Sequence, residues 1–404
     1  MEKVVFNNPF RPSSGHMPPY LAGRTIETQQ FRRILQQSPI LKNLIITGLR
    51  GVGKTVFLES IKPIGVQEDW LWVGTDMSES ASITEENMAL RLLTDLSIVT
   101  SNMTTVVGEE KGIGFGKGNE PIRRDMNFQF LNALFNVTPG LVSDKLKVVL
   151  ERVWSEMKSG EKKGIIFAYD EAQNLCDHSE DRQYPLSLLL DVFQSLQRKE
   201  IPFMLVLTGL PTLFSELVEA RTYTERMFEI ITLGRLNSAD SREAIQKPIQ
   251  GCPFPFTEES VSSIAGLSGG YPYFIQFICR EVYDIFSQQY LLGHTMSVPF
   301  EAIISKLDSE FFAPRWGKAT DRQRVLLYVI AQADDDCEFT VQEVTEKSAT
   351  LLEEPFGSSN ANQMIAKLVD MGFVYRNRHG KYMLAVPLLK KYILRQSIVG
   401  LKNK

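Results

Sequence analysis

A parallel α/β sheet with helices on both faces, followed by a helical lid and a C-terminal helix and hairpin domain, is the fold class this sequence predicts. Three observations carry the prediction. Short apolar runs at residues 44–47, 70–74, 164–169, 203–208 and 228–233 alternate with stretches of helical spacing, the pattern of strands buried on both faces. Beyond residue 233 helical spacing dominates, until two short strands close the folded sequence. At 404 residues the chain exceeds the size at which one core stops growing, so two or three folded units are expected.

Residues 7–20 are rich in Pro, Ser and Gly and read as an extended arm. Residues 25–37 have helical spacing that ends near Ser38-Pro39, because the residue before a proline disfavours the helical region. The first strand runs directly into a glycine-rich turn and a helix over 55–61, and a further helix is predicted at 83–96. Residues 101–124 are polar and glycine-rich without periodicity, which predicts a mobile insertion. Helices at 142–158 and 186–197 alternate with the third and fourth strands. Helices at 240–249, 258–265 and 273–287 would form the lid, with 291–320 as a connector. Helices at 321–331, 341–346 and 361–371, the last capped by Ser358-Ser359-Asn360, precede a hairpin of 373–376 and 381–385 around Asn377-Arg378-His379-Gly380. Three helices and a hairpin suggest a winged helix. The expected domains are therefore a core over 1–236, a lid over 237–300, a connector over 301–320 and a winged helix over 321–404.

Composition narrows the function classes. The formal net charge of −4 argues against a globally cationic nucleic-acid binder and leaves only a regional DNA contact. Cys176, Cys252, Cys279 and Cys337 form no CxxC pair, which argues against a zinc site or a disulfide framework and points to a reducing compartment. With no apolar leader and no run of 18 apolar residues, a cytoplasmic protein without membrane contact is expected. His16, His178 and His294 are isolated by spacing and read as structural.

The chemistry begins at Gly48-Leu49-Arg50-Gly51-Val52-Gly53-Lys54-Thr55, a GxxxxGK[ST] pattern set between a predicted strand and a predicted helix, the signature of a P-loop NTPase. Its glycines let backbone N–H groups wrap phosphates, with Val56 continuing the helix whose N-terminus adds partial positive charge. Lys54 would reach the β and γ phosphates, and Thr55 would ligate Mg2+. The strand Ile165-Ile166-Phe167-Ala168-Tyr169 ends in Asp170-Glu171, as a Walker B element does. Asp170 would hold the Mg2+ shell and Glu171 would polarise the attacking water. Thr208, ending the next strand, is a candidate for bonding the γ-phosphate or that water, although β-propensity alone also places Thr there. Arg226, with Arg221 as the alternative, is a candidate to stabilise transition-state charge in its own site or a neighbour's.

The P-loop, Asp170-Glu171, the Thr208-Gly209 strand end and the Arg226 box together resemble AAA+ ATPases, nearest to the origin-recognition and STAND-type branches. The resemblance spans residues 20–290, and a C-terminal winged helix adds likeness to bacterial and archaeal ATPases of this branch. It implies ATP and ADP, rather than guanine nucleotides, together with Mg2+ and ATP-dependent self-association. Pro18-Pro19-Tyr20-Leu21-Ala22-Gly23-Arg24 is similar to the family's box beside the adenine, so Leu21, Gly23 and Arg24 would line the base. The lid departs from many AAA+ proteins. Gly269-Gly270-Tyr271-Pro272-Tyr273-Phe274 stands where they place a phosphate-sensing arginine. That Gly-x-Pro element is similar to the STAND lid, whose proline contacts the base, which suits Pro272 to a slow switch, although proline also fits any helix start.

The resulting expectation is a slowly hydrolysing ATPase switch that couples nucleotide state to duplex DNA or a partner protein through the winged helix. Arg376, Arg378 and Lys381, with His379, would form the DNA-facing wing, against which Asp370 and Asp334-Asp335-Asp336 count. The alternatives are a STAND-like signalling or defence switch with tightly held ADP, and a nucleotide-binding scaffold without turnover.

Overall fold

The computed structural model describes residues 6–13, 15–39, 42–110, 120–333, 337–378 and 380–398. In chain order the first elements are α1 (Thr25–Leu35), β1 (Asn43–Thr47), α2 (Lys54–Gln67), β2 (Trp70–Val73), α3 (Glu85–Thr100), β3 (Thr104–Glu110) and β4 (Glu120–Asp125). There follow α4 (Phe128–Val137), α5 (Val142–Met157), β5 (Gly164–Tyr169), α6 (Pro185–Arg198), β6 (Phe203–Gly209), α7 (Leu213–Ala220), α8 (Thr224–Met227) and β7 (Phe228–Thr232). The remainder is α9 (Ser238–Gln246), α10 (Glu258–Ser268), α11 (Pro272–Leu291), α12 (Phe300–Leu307), α13 (Ala313–Trp316), α14 (Asp321–Ala331), α15 (Val341–Leu351), α16 (Ser358–Asp370), β8 (Val374–Arg378), β9 (Lys381–Leu384) and α17 (Leu389–Leu394). Compactness groups the chain differently from sequence order. Thr25–Thr47 and Phe57–Thr232 form one unit, while the arm up to Arg24, the loop Gly48–Val56 and the chain from Leu233 onward form the other.

The first unit holds a parallel sheet in the order β2-β5-β6-β1-β7, the α/β sheet of a P-loop NTPase. Strands β1, β5 and β6 are buried at every position, which is why their sequences are continuous apolar runs rather than alternating ones. Helices α3, α5 and α6 bury Leu92, Val149, Leu189 and Phe193 in the core that also takes Phe167 and Phe203. Phe167 meets Phe193 edge to face at 5.2 Å, and each such ring contributes roughly 2 kcal/mol by leaving water. Inside the sheet Asn43 Oδ1 accepts the Leu205 N–H at 2.8 Å, while its Nδ2 is left without a partner.

Strand β5 is anchored at its end by a buried ionic group. Asp95 on α3 is fully buried and accepts a bond from Tyr169 Oη at 2.9 Å, while Arg91 one turn earlier binds the same carboxylate through two nitrogens. Burial, with the Asp95 charge second, pushes the Tyr169 phenol well above its ordinary pKa, so it stays a donor.

The mobile insertion expected over 101–124 is instead an antiparallel pairing of β3 with β4, with a register shift between Val106 and Gly108. Thr104, Thr105, Val106 and Val107 are strand formers whose signal the glycines obscured. Thr105 is buried, its Oγ1 bonding Glu156 at 2.7 Å, and Arg152 donates to the Val106 carbonyl at 2.9 Å, so α5 ties the hairpin down. Residues 111–119 lie outside the described residues.

In the second unit the lid helices start as their sequences dictate. Asn237 caps α9, Thr257 caps α10 and Pro272 occupies the first turn of α11. The arm lies on this lid: Asn8 Nδ2 reaches the Arg280 carbonyl at 2.9 Å and Asp284 at 2.7 Å, and Phe10 is buried against Phe256 and Tyr283. The connector expected over 291–320 is largely helical. Helix α12 runs through a π-helical turn, Asp308–Phe312, into α13. Its rings make it a packed bridge, since Phe311 lies 5.2 Å from Tyr273, and Phe312 stacks on Phe274 and on Tyr392 of α17. At the C-terminus α16 starts at Ser358 with Gly357 at the cap position, so the expected Ser358-Ser359-Asn360 cap is already helix. Strands β8 and β9 pair, and Phe339 adds a bridge to Tyr382. Among the described residues, no helix is long and apolar enough to cross a membrane.

Removing one partner of the Asp95 group should leave the others unpaired in the core. Asp95→Ala is expected to cost about 3 kcal/mol of unfolding free energy in urea titrations; a loss below about 1 kcal/mol would show that the group is not holding β5.

Candidate functional site

The parallel register sets the carboxyl ends of β5, β6 and β1 side by side, with Tyr169 opposite Leu207, Ile46 opposite Thr208 and Thr47 opposite Gly209. Such an edge is where ligands bind in open α/β sheets. Asp170 follows Tyr169, is only 4% exposed, and its Oδ1 accepts the Glu171 N–H at 2.8 Å. Its backbone is stitched to the segment after β2, with Met77 N–H donating to Asp170 O at 2.8 Å. Glu171 adopts a left-handed φ of 52°, uncommon for a residue with a side chain, and is exposed. Thr208 and Thr47 are buried, yet neither Oγ1 has a hydrogen-bond partner. A buried hydroxyl left unsatisfied costs about 1–3 kcal/mol, so two orphans on adjoining strand ends mark a place suited to a polar ligand.

In the other unit, the loop leaves Thr47 and enters α2 at Lys54 with positive φ at Gly48, Gly51 and Gly53. A Cβ at Gly48 would stand 2.4 Å from the Leu233 carbonyl oxygen, so no side chain fits there. At Gly53 nothing lies within 4 Å, and glycine is required only by its φ of 88°. Lys54 Nζ donates to the Gly48 and Leu49 carbonyls at 2.9 and 3.2 Å. Arg24 is buried and donates to the carbonyls of Val52 at 2.9 Å and Gly234 at 2.8 Å, clasping the loop to the segment that leads into α9. Gly23 sits against the Asp240 side chain, and the Tyr20 hydroxyl donates to Glu243 at 2.5 Å. The lid touches the loop directly, because Tyr273 N–H, one residue after Pro272, donates to the Gly51 carbonyl at 3.1 Å. Leu49 also lines a cavity of about 120 Å³ with Arg235, Tyr271, Cys337, Phe339 and Lys390.

The two arginine candidates separate clearly. Arg221 is committed to Asp191 through Nε at 3.2 Å and Nη2 at 3.1 Å, with Tyr223 Oη on the same carboxylate. Burial would raise the Asp191 pKa, but the bonds from Arg221 and Tyr223 outweigh it and hold it low. Arg226, on the one-turn helix α8, is exposed. At the hairpin, Arg378 is bound by Glu338 at 2.6 Å and Lys381 by Glu343 at 3.6 Å, while Arg376 is exposed. His379 and Asp334-Asp335-Asp336 lie outside the described residues.

Sequence reasoning passed over Thr47 and Gln173. Thr47 was legible as the last residue of the first strand, one register position beyond Thr208 on the adjoining strand. Gln173 stands two residues after Glu171, and its Nε2 donates to Glu171 Oε2, a pairing that no period reveals.

Comparison with known proteins agrees on the fold. The Walker-type ATPase PABY2304 of Pyrococcus abyssi superposes with a TM-score of 0.54 at 16% identity, covering 93% of this chain and 96% of that one. The Aeropyrum pernix ORC2 protein in its ADP form gives a TM-score of 0.54 at 14% identity over 95% of both chains. Its ADPNP-ADP complexes give 0.52 at 13% identity, again over 95% of both. A family model described as a domain of unknown function, DUF8462, matches residues 309–393, from the π-helical turn to α17. No curated protein matches the chain by sequence.

The loop glycines should differ in their tolerance. Gly48→Ala is expected to cost about 3 kcal/mol through its collision with the Leu233 carbonyl, and Gly53→Ala only about 1 kcal/mol of backbone strain. Equal losses in chemical denaturation would refute the close packing assigned to Gly48.

Proposed function

We propose that the protein is an ATP-binding and slowly hydrolysing switch of the AAA+ kind, built as core, lid and winged helix, whose C-terminal domain passes the nucleotide state to DNA or a partner protein. The observation that carries this reading is the loop Gly48–Thr55, whose glycines hold left-handed conformations between a buried strand and a helix start. Backbone N–H groups in that arrangement suit phosphate oxygens, and Lys54 supplies the compensating charge. The orphaned hydroxyls of Thr47 and Thr208 and the carboxylate of Asp170 fit the same ligand chemistry. Thr55 and Asp170 would hold Mg2+, which needs few protein ligands when phosphates and water complete its shell. When bound, that ion would neutralise charge on the phosphates. Glu171 would take the proton of the attacking water, Thr208 would orient that water or the γ-phosphate, and exposed Arg226 suits a transition-state contact made to a second copy. Leu21, Gly23 and Pro272 remain the candidates for the base. Arg24, which bonds the Val52 and Gly234 carbonyls, remains a candidate beside them.

A second reading, a switch held closed on ADP, is favoured by one further observation. Within the loop-bearing unit, Arg50 Nη2 lies 3.8 Å from the position a Cβ would take at Gly372, and burial together with the Arg50 charge lowers the Arg315 pKa. The C-terminal segment therefore packs on the phosphate-type loop itself. Wing contacts to DNA require Arg378 and Lys381 to leave Glu338 and Glu343, a small barrier for exposed pairs.

Wild-type protein is expected to release phosphate from ATP with Mg2+. Lys54→Ala should lose ATP binding, and Glu171→Gln should bind ATP but release phosphate at least about a hundredfold more slowly. If duplex DNA is the output, binding by wild type should weaken with salt and the Arg376→Ala variant should lower the salt slope by about one. No turnover together with copurifying ADP would transfer support to the closed switch.

A further inference from the structure

We propose that Gln173 is a positioning residue for hydrolysis: a clamp that holds Glu171 and reports to it the state of the strand end bearing Thr208. This assignment rests on the ATPase reading above. Its ground is a two-sided bond. Gln173 Nε2 donates to Glu171 Oε2, and Gln173 Oε1 accepts the Leu210 N–H at 3.3 Å. The amide cannot be turned round, because a backbone N–H offers only a donor and a carboxylate only acceptors, so each end of the side chain has one compatible partner. Leu210 directly follows β6, whose Thr208 hydroxyl is buried and unpartnered. Any movement of that strand end on satisfying Thr208 therefore reaches the Glu171 carboxylate through a single side chain.

The surroundings are shaped for this clamp. A Cβ at Gly209 would stand 3.0 Å from Gln173 Oε1 and 2.8 Å from Leu213 Cδ2, so the glycine at the end of β6 makes room for the amide. The one-turn helix Ala172–Asn174 is itself fixed, since Asn174 Nδ2 donates to the Met77 carbonyl at 2.8 Å and Ala172 is buried. Glu171 is left-handed and exposed, so burial does little to choose its rotamer. The Gln173 amide supplies that choice, occupying one carboxylate oxygen and leaving the other for water.

The test is steady-state phosphate release from ATP with Mg2+, paired with the affinity for a non-hydrolysable ATP analogue, in the full chain. Gln173→Glu keeps an acceptor for the Leu210 N–H but has no proton for Glu171, whereas Gln173→Ala loses both bonds. Both are expected to lower kcat about tenfold or more while the analogue Kd stays within about twofold. Adding Gln173→Ala to Glu171→Gln should lower kcat no further than Glu171→Gln alone, because the clamp acts only through that carboxylate. Wild-type kcat in Gln173→Glu, or a further loss in the double variant, would overturn the assignment and leave the ATPase reading intact. Wild-type protein that binds the analogue yet releases no phosphate would instead remove the ATPase reading, and the clamp with it.

Discussion

The approach of the Leu233 carbonyl to Gly48 is the constraint on which the site-bearing half of the molecule depends. Two backbone segments meet where a Cβ would lie 2.4 Å from an oxygen. A loop so confined has little conformational freedom, and its neighbours remove more of it. Arg24 bonds Val52 and Gly234, and Tyr273 bonds Gly51, so the arm, the entry to the lid and the start of α11 all hold the same eight residues. Such packing orders the loop's backbone amide groups before any ligand arrives. The lid and the arm are thus part of the loop's architecture.

The sheet unit meets a different demand, that of ending buried strands in polar chemistry. Strand β5 passes from a fully buried tyrosine to two carboxylates within two residues. The transition is made stable on the inner side by Asp95 and Arg91 holding Tyr169, and on the outer side by the bridge between Asp76 and Asp170. The hydroxyls of Thr47 and Thr208, at the ends of β1 and β6, are left without partners. Asp95 and Thr105 find partners in this interior, whereas the Thr47 and Thr208 hydroxyls, on adjoining strand ends, do not.

At the C-terminus the hairpin's charges are partly committed within the chain. Arg378 and Lys381 already have carboxylate partners, and α16 offers only Lys367 as a cation. The better-defined feature is aromatic. Phe274, Phe312 and Tyr392 form a continuous stack from the lid helix to the last helix, with Tyr273 and Phe311 beside it. Rings packed in series transmit displacement better than a flexible linker does, and residues 309–393, matched as one domain, include three of the five.

By itself the sequence determined the α/β class, the five strands, the glycine-rich loop and the carboxylate pair at the end of β5, because each is written in local terms. Continuous apolar runs encode doubly covered strands, and a GxxxxGK[ST] string encodes backbone conformations that few other residues can adopt. It misjudged residues 101–124, where glycines masked paired strands fastened by Arg152, and it did not show that the connector over 291–320 is fastened by ring contacts. Only the tertiary structure decided that Arg24 clasps the loop, that Arg221 is spent on Asp191 while Arg226 is exposed, that Arg378 and Lys381 of the hairpin are paired, and that Gln173 meets both Glu171 and Leu210. The physical reason is common to all four. A side chain's hydrogen-bond partner is fixed by where distant segments arrive in space, and no local propensity or period contains that information.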